Sequence, residues 1–155
     1  MEITKFNFVH DAYAHQKEQR TIYDNKASFL IGVSGVIFAM SIGQISRVSF
    51  LIITISAFVA LILSIWTISF PFPRGSGAKF SLLCWSGFRG MKKDEYEAKM
   101  KEIVISDEKI VHEYIREIYA LYQYSVLPKS KMIRLASIVL TFSLFAGLLL
   151  LMVGI

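Results

Sequence analysis

Residues 27–46 (ASFLIGVSGVIFAMSIGQIS) and 48–73 (VSFLIITISAFVALILSIWTISFPFP) contain no Asp, Glu, Lys or Arg, and Arg47 alone stands between them. Residues 135–155 (LASIVLTFSLFAGLLLLMVGI) are equally bare. Each run reaches the roughly 20 apolar residues that an α-helix needs to cross a hydrocarbon core. The pattern predicts an all-α integral membrane protein with three transmembrane helices, spanning 27–46, 48–72 and 132–154. An N-terminal cytoplasmic helical arm occupies 1–26 and a helical cytoplasmic segment 73–131, the whole chain forming one unit.

The charges assign sides. Of the seventeen Lys and Arg residues, all but Arg47 fall within 1–26 and 74–134. The positive-inside rule keeps such flanks and short loops in the cytoplasm, so the N-terminus lies inside and Ile155 outside. That rule also absorbs the net charge of +5, and no nucleic-acid partner is implied, because one would need a basic face on a soluble fold. Neither the arm nor the middle segment can bury enough apolar surface to be a stable enzyme domain alone. The single cysteine, Cys84, has no disulfide partner and no Cys or His at metal-site spacing, and reads as a small structural side chain. The first apolar run follows a mixed-charge arm and exceeds a signal-peptide core in length, so it is a retained span.

Local patterns give the organisation. Ile3, Phe6, Val9, Tyr13 and Tyr23 recur at helical spacing along the arm, and nothing breaks the chain before Phe29, so the arm runs into the first span. Residues 44–49 allow only a tight hairpin. Pro71 and Pro73 end the second span by removing backbone donors, and residues 74–77 read as a flexible exit loop. Residues 79–90 are aromatic and irregular. A helix is expected from Asp94, as N-cap, to about Ile105, and a second from Ser106, with Asp107 and Glu108 suited to the macrodipole. Val111, Tyr114, Ile118, Leu121 and Tyr122 mark the expected buried face of that second helix. Pro128 either ends it or kinks it into the last span.

No ionisable side chain lies deep in a span, which argues against ion- or proton-coupled transport. The spans also lack the paired Gly or Pro interruptions of broken-helix binding sites. Small residues do recur: Ser28, Gly32, Gly35, Ala39 and Gly43 along the first span, and Ser56, Ala60 and Ser64 along the second. Such stripes let helix backbones approach closely in lipid, either within one hairpin or between subunits. Three helices make a thin bundle, so a homo-oligomer is expected.

Catalytic chemistry is poorly represented. His10-Asp11 resembles a metal-phosphohydrolase dipeptide without the other ligands, His15 falls off its helical face, and His112 stands alone; no metal is expected. There is no phosphate loop, nucleophile elbow or Cys–His pair, so an enzyme is not expected. Arg74, Lys79, Trp85, Phe88, Arg89, Lys92 and Lys93 form the best candidate for an anionic ligand, with cations for a phosphate and rings for a base. The same residues also suit an interfacial belt of aromatics and basic groups at headgroup depth, the reading that residue chemistry alone favours.

Asp24-Asn25-Lys26-Ala27, immediately before a span rich in Gly and Ser, resembles the Asp-x-Lys-Ala motif of the Pycsar effector transmembrane family, which belongs to bacterial pyrimidine-cyclase antiphage systems. The likeness continues through Pro71 and Pro73, the stretch Leu83-Cys84-Trp85-Ser86-Gly87-Phe88, and Asp94-Glu95-Tyr96. It ends in the region from Tyr119 to Lys131-Met132-Ile133-Arg134-Leu135-Ala136, where Lys131-Met132 replaces an expected Lys-Tyr pair. The resemblance implies a non-enzymatic effector in the bacterial inner membrane with no cofactor. A partner cyclase would make cyclic UMP or cyclic CMP, and the effector would respond by impairing the membrane. Asp24 and Lys26, with Lys131 and Arg134 at the other boundary, would then couple ligand binding to the bundle; their ordinary role is as helix-stabilising acid and snorkelling bases. Two other classes compete: an accessory membrane subunit that docks a cytoplasmic partner, and a constitutive holin-like pore.

Overall fold

The computed structural model describes residues 2–69, 81–83, 88 and 90–153, with side chains from residue 7 onward. All regular structure among them is helical: α1 (Glu2–Ile42), α2 (Val48–Ser69), α3 (Lys93–Val104), α4 (Asp107–Leu121), a π-helical turn (Tyr122–Val126) and α5 (Leu127–Val153). α4, the π turn and α5 follow one another without a break, so the described residues form four helical rods. Three rods are long and apolar enough to cross a membrane, over Asn7–Ile42, Val48–Ser69 and Asp107–Val153. The chain packs as two compact units, a polar one from Met1–Arg20 with Pro71–Leu127 and an apolar one from Thr21–Phe70 with Pro128–Ile155.

In the apolar unit, helix-to-helix contact runs along small residues at heptad spacing. α2 buries Ile53, Ala57, Ala60, Ser64 and Thr67, and α5 buries Lys129, Ile133, Ala136, Leu140, Ser143 and Gly147. α1 buries Ala27, Ser34 and Ser41, every seventh residue. Alternating steps of three and four are the seam of a left-handed bundle, in which 3.5 residues per turn keep one face on its neighbours. Ala57, Ala60, Ala136 and Leu140 form the centre, with Leu30, Ile37, Phe38, Leu63 and Leu144 packed around it. The α1–α2 register is fixed where Gly35 faces Leu61, Phe38 stacks on Phe58 at 5.7 Å, and Thr54 Oγ1 lies 2.8 Å from Ser41 Oγ. Large apolar side chains such as Phe29, Met40, Phe142 and Phe145 point outward. Lipid tails are as apolar as those side chains, so they gain little from burial, and small residues that allow close backbone contact hold the bundle instead.

Seam hydroxyls mostly turn back onto their own helices. Ser64 Oγ donates to the Ala60 carbonyl, Thr67 Oγ1 to Leu63 and Ser143 Oγ to Leu140, at 2.8, 2.8 and 2.9 Å. The Thr54 hydroxyl has one proton and two acceptors in reach, Ser41 Oγ at 2.8 Å and the Phe50 carbonyl at 2.7 Å.

In the polar unit, α3 is held by local electrostatics. Glu95 and Lys99 pair at 2.8 Å and Lys93 and Glu97 at 3.6 Å, both at i,i+4. Asp94 and Glu95 lie in its first turn and Lys101 in its last, matching the macrodipole. The helix begins one residue before the expected cap: Lys92 is the extended N-cap residue, its carbonyl accepting from Tyr96 N at 3.0 Å, and Asp94 lies within the first turn. Gly90 precedes it with φ +89°, a conformation that favours glycine. Ser106 does cap α4, although through its carbonyl, which accepts from Ile110 N at 3.1 Å, and not through its hydroxyl.

Several expectations are corrected at element ends and faces. α1 stops at Ile42, short of residue 46, because the chain turns there, with Gln44 N donating to Ser41 O and Arg47 N to Gln44 O. The last helix does not start at 132. Leu127 N–H donates to Tyr122 O, five residues back. The ladder has thus slipped by one residue just before Pro128, which lacks a donor and needs the carbonyl four residues behind it moved aside. The buried face of α4 is Glu113, Glu117, Ala120 and Leu121. Of the five residues expected there, only Leu121 is buried, and Tyr122 is exposed. The Ile3 and Phe6 side chains, Pro71, Pro73, residues 74–77, Phe80 and Cys84 lie outside what is described.

Each unit generates a stability test. A Cβ at position 147 would stand 2.5 Å from Ile53 Cγ1 and Cδ1 and 3.4 Å from the Ser49 carbonyl. Gly147→Leu should therefore destabilise the bundle in detergent by about 1–3 kcal/mol through overpacking, and adding Ile53→Ala should recover part of that. Gly32→Ala, with nothing within 4 Å of its Cβ, should stay within about 0.5 kcal/mol. In the polar unit, Glu113→Ala removes the acceptor of Leu82 N–H and should cost about 1.5–3 kcal/mol. Hydrogen exchange at the Leu82 amide should rise with it.

Candidate functional site

The residues with functional chemistry gather separately in the two units. In the polar unit, α4 turns two carboxylates inward, Glu113 at 7% and Glu117 at 3% exposure. Burying a charge is costly unless it is paired and hydrogen-bonded. Glu113 meets that requirement: Oε2 accepts from the Leu82 backbone N–H at 2.9 Å, and Oε1 pairs with Arg116 Nη1 at 2.7 Å. Glu117 is engaged as well.

Beside these carboxylates, Tyr114 receives two rings from the N-terminal part of α1. Tyr13 meets it edge-on with centroids 5.6 Å apart, and His10 lies at 6.4 Å. Lys17 Nζ stands over the Tyr13 ring at 5.3 Å. The polar unit thus has an aromatic platform, a carboxylate pair and two cations, Lys17 and Arg116, within a single helix–helix contact. These groups can stack on a heterocycle, accept from its N–H groups and pair with a phosphate.

The expected ligand cluster is only partly visible. Arg74, Lys79, Trp85 and Arg89 lie outside the described residues. Phe88 is tilted against Tyr96 with centroids 5.1 Å apart. Lys92 is the exposed N-cap of α3, and Lys93 is engaged with Glu97. These three residues therefore meet around the start of α3.

In the apolar unit, the strongest electrostatic contact joins Asp24 on α1 to Lys129 on α5 by a short hydrogen-bonded ion pair. The Lys129 side chain is 3% exposed and that of Asp24 34%. Of the four boundary residues expected from sequence, Asp24 has this partner, Lys26 lies over the Tyr23 ring at 5.5 Å, and Lys131 and Arg134 point outward. Lys129 was missed in the sequence, and so was the carboxylate face. Both had a signal: Lys129 lies in heptad step with Ile133, Ala136 and Leu140, and Glu113 and Glu117 are four apart in line with Ala120.

The small-residue stripes divide. Gly32, Ala39 and Gly43 are exposed, and Gly35 is half-buried against Leu61. On α2, Ala60 and Ser64 are fully buried within the bundle and Ser56 is half-buried. No group of three or more His, Cys, Asp or Glu residues able to hold a metal occurs among the described residues.

No curated protein and no solved structure matches the chain. The Pycsar effector protein domain matches residues 9–155, a span that takes in the whole apolar bundle and nearly all of the polar unit. With that match and three helices able to cross a membrane, the chain belongs to the Pycsar effector transmembrane family and is an antiphage membrane effector of a generally non-enzymatic kind.

Proposed function

We propose that this effector responds to a cyclic pyrimidine mononucleotide, cyclic UMP or cyclic CMP, made by a partner cyclase, and then impairs the integrity of the inner membrane. The polar unit is cytoplasmic, the C-terminus lies outside, and growth arrest or death of the infected cell follows. The nucleotide binds to the cytoplasmic segments, with Arg74, Lys79, Trp85, Phe88, Arg89, Lys92 and Lys93 as its basic and aromatic contacts. Copies associate through the exposed stripe of Gly32, Ala39 and Gly43, where backbones can approach closely.

The observation that carries this reading is the Asp24–Lys129 pair. It ties α1 to α5 within the apolar bundle, a few residues beyond Thr21 and Pro128, where the chain enters that unit from the polar one. Breaking a buried pair by removing one partner costs about 3–5 kcal/mol. Moving a two-state equilibrium from 1:99 to 99:1 takes about 5.5 kcal/mol of differential affinity. The pair thus has the right size to hold the bundle in one packing, and a ligand that favours the other packing must overcome it. An accessory subunit that docks a cytoplasmic partner has one observation in its favour, the exposure of Val104 and Ile105 at the end of α3.

Dye leakage from proteoliposomes of the full chain, with and without cyclic UMP or cyclic CMP, tests the reading directly. Leakage that depends on one nucleotide is expected. Indifference to both, with no binding, would sink it, and leakage without ligand would favour a constitutive pore.

The pair makes a second, asymmetric prediction. Asp24→Ala strands a charge whose side chain is 3% exposed, and should cost the bundle about 3–5 kcal/mol. Lys129→Met leaves Asp24, which reaches water, and should cost less. The double variant should recover most of the Asp24→Ala loss, as read by detergent unfolding. Both single variants should lower the nucleotide concentration needed for leakage.

A further inference from the structure

The seam of the apolar bundle is chemically unusual for a surface buried in a membrane protein. Ser34, Ser41, Thr54, Ser64 and Ser143 all lie on it, each less than a tenth exposed. Most satisfy themselves on carbonyls of their own helix or, for Thr54, on Ser41, so a hydroxyl is presented along the seam without tying the three helices together. Two go further. Ser34 and Ser49 are fully buried, and their hydroxyl oxygens have no hydrogen-bond partner. A buried hydroxyl left unsatisfied is destabilising, and water removes that penalty. The packed state therefore holds two groups that hydration would favour.

The outer face of the same helices is lined by large apolar side chains, Phe142 and Val36 among them. If the helices part, the lipid-facing surface need not change, and the surface newly opened is already polar. Ala57, Ala60, Ala136 and Gly147 add little bulk to it. The seam's bulkier members, Ile53, Ile133 and Leu140, are the points at which it would remain narrowest.

We propose that the hydroxyl seam of α1, α2 and α5 is the lining of a water-filled path for small ions, dry and shut in the packed state and wetted when the helices part. This rests on the proposed role as a nucleotide-triggered membrane effector, and it names where the membrane is breached. Neighbouring copies, joined through the exposed Gly32–Ala39–Gly43 stripe, complete the wall as the seam widens. Neutral hydroxyls solvate either sign of ion, so the path discriminates little between small cations and anions.

The test uses the full chain with Cys84→Ser, reconstituted in phosphatidylethanolamine–phosphatidylglycerol vesicles. Ser34→Cys and Ser143→Cys report on the seam, and Val36→Cys and Phe142→Cys on the lipid face. A small water-soluble methanethiosulfonate is added with cyclic UMP, with cyclic CMP, or without nucleotide. A parallel arm repeats it without nucleotide on a Lys129→Met or Asp24→Asn background. Reaction of a buried thiol tracks the population of the open form, so seam cysteines should react about tenfold faster or more whenever ion leak is on. Their modification should also block the leak, whereas modification at positions 36 and 142 should not. Leak with no change at either seam position overturns the seam as the path and leaves the effector reading standing. Leak seen only on the pair-broken backgrounds, with seam thiols reacting, supports the path and overturns the nucleotide trigger. Leak absent from every arm overturns both.

Discussion

Close approach of helix backbones is the constraint on which the rest of the apolar unit depends. In water the large side chains of α1, α2 and α5 would be driven inward; in lipid that drive is absent, and packing of small groups takes over. The arrangement follows from that exchange. Ala27, Ala57, Ala60, Ala136 and Gly147 occupy the interior, and Phe29, Met40, Phe142 and Phe145 the exterior. Hydroxyls belong to the same logic, since Ser is scarcely larger than Ala and can satisfy itself on the preceding turn. The cost is a bundle with little cohesive bulk, which makes one well-placed ion pair a large fraction of what fixes its packing.

That pair also explains how the two units can have such different characters while sharing continuous helices. The polar unit is stabilised by many small terms: the i,i+4 pairs of α3, the Glu102–Lys109 contact at 3.0 Å, and the carboxylate that receives Leu82 N–H. Each is worth little on its own at an exposed site. The apolar unit has few electrostatic terms among its described residues and one strong one. Changes in the first unit are therefore gradual, whereas a change at Asp24 or Lys129 is close to all-or-none.

Much of this was legible in the sequence. The charge-free runs locate three membrane helices because hydrocarbon tolerates so few alternatives, and the arm continues into the first of them as its uninterrupted helical pattern implies. What escaped was phase. A stripe chosen for its smallest residues singles out Gly32, Ala39 and Gly43, yet the inward face of α1 is Ala27, Ser34 and Ser41, because heptad register and not residue size decides which face meets the neighbours. Lys129 was hidden by its neighbour: Pro128 reads as a helix boundary, and only the π turn ahead of it lets the helix continue and places Lys129 in step with Ile133. Glu113 and Glu117 escaped because buried carboxylates run against the usual hydrophobic pattern. The ligand cluster proposed around Trp85 was legible as chemistry only, since four of its seven residues fall outside the described structure.

Asp24 and Lys129 are 105 residues apart, and that separation has a consequence for how the protein is made. Ribosomes deliver the α1–α2 hairpin first, with its own Ser41–Thr54 contact already available. Lys129 emerges only after the entire polar segment has been synthesised. Until then the hairpin is in the membrane without the contact that fixes the finished bundle. The order of translation therefore makes the safeguard the last part to arrive, and a nascent chain interrupted before α5 would carry the apolar hairpin with nothing to hold it.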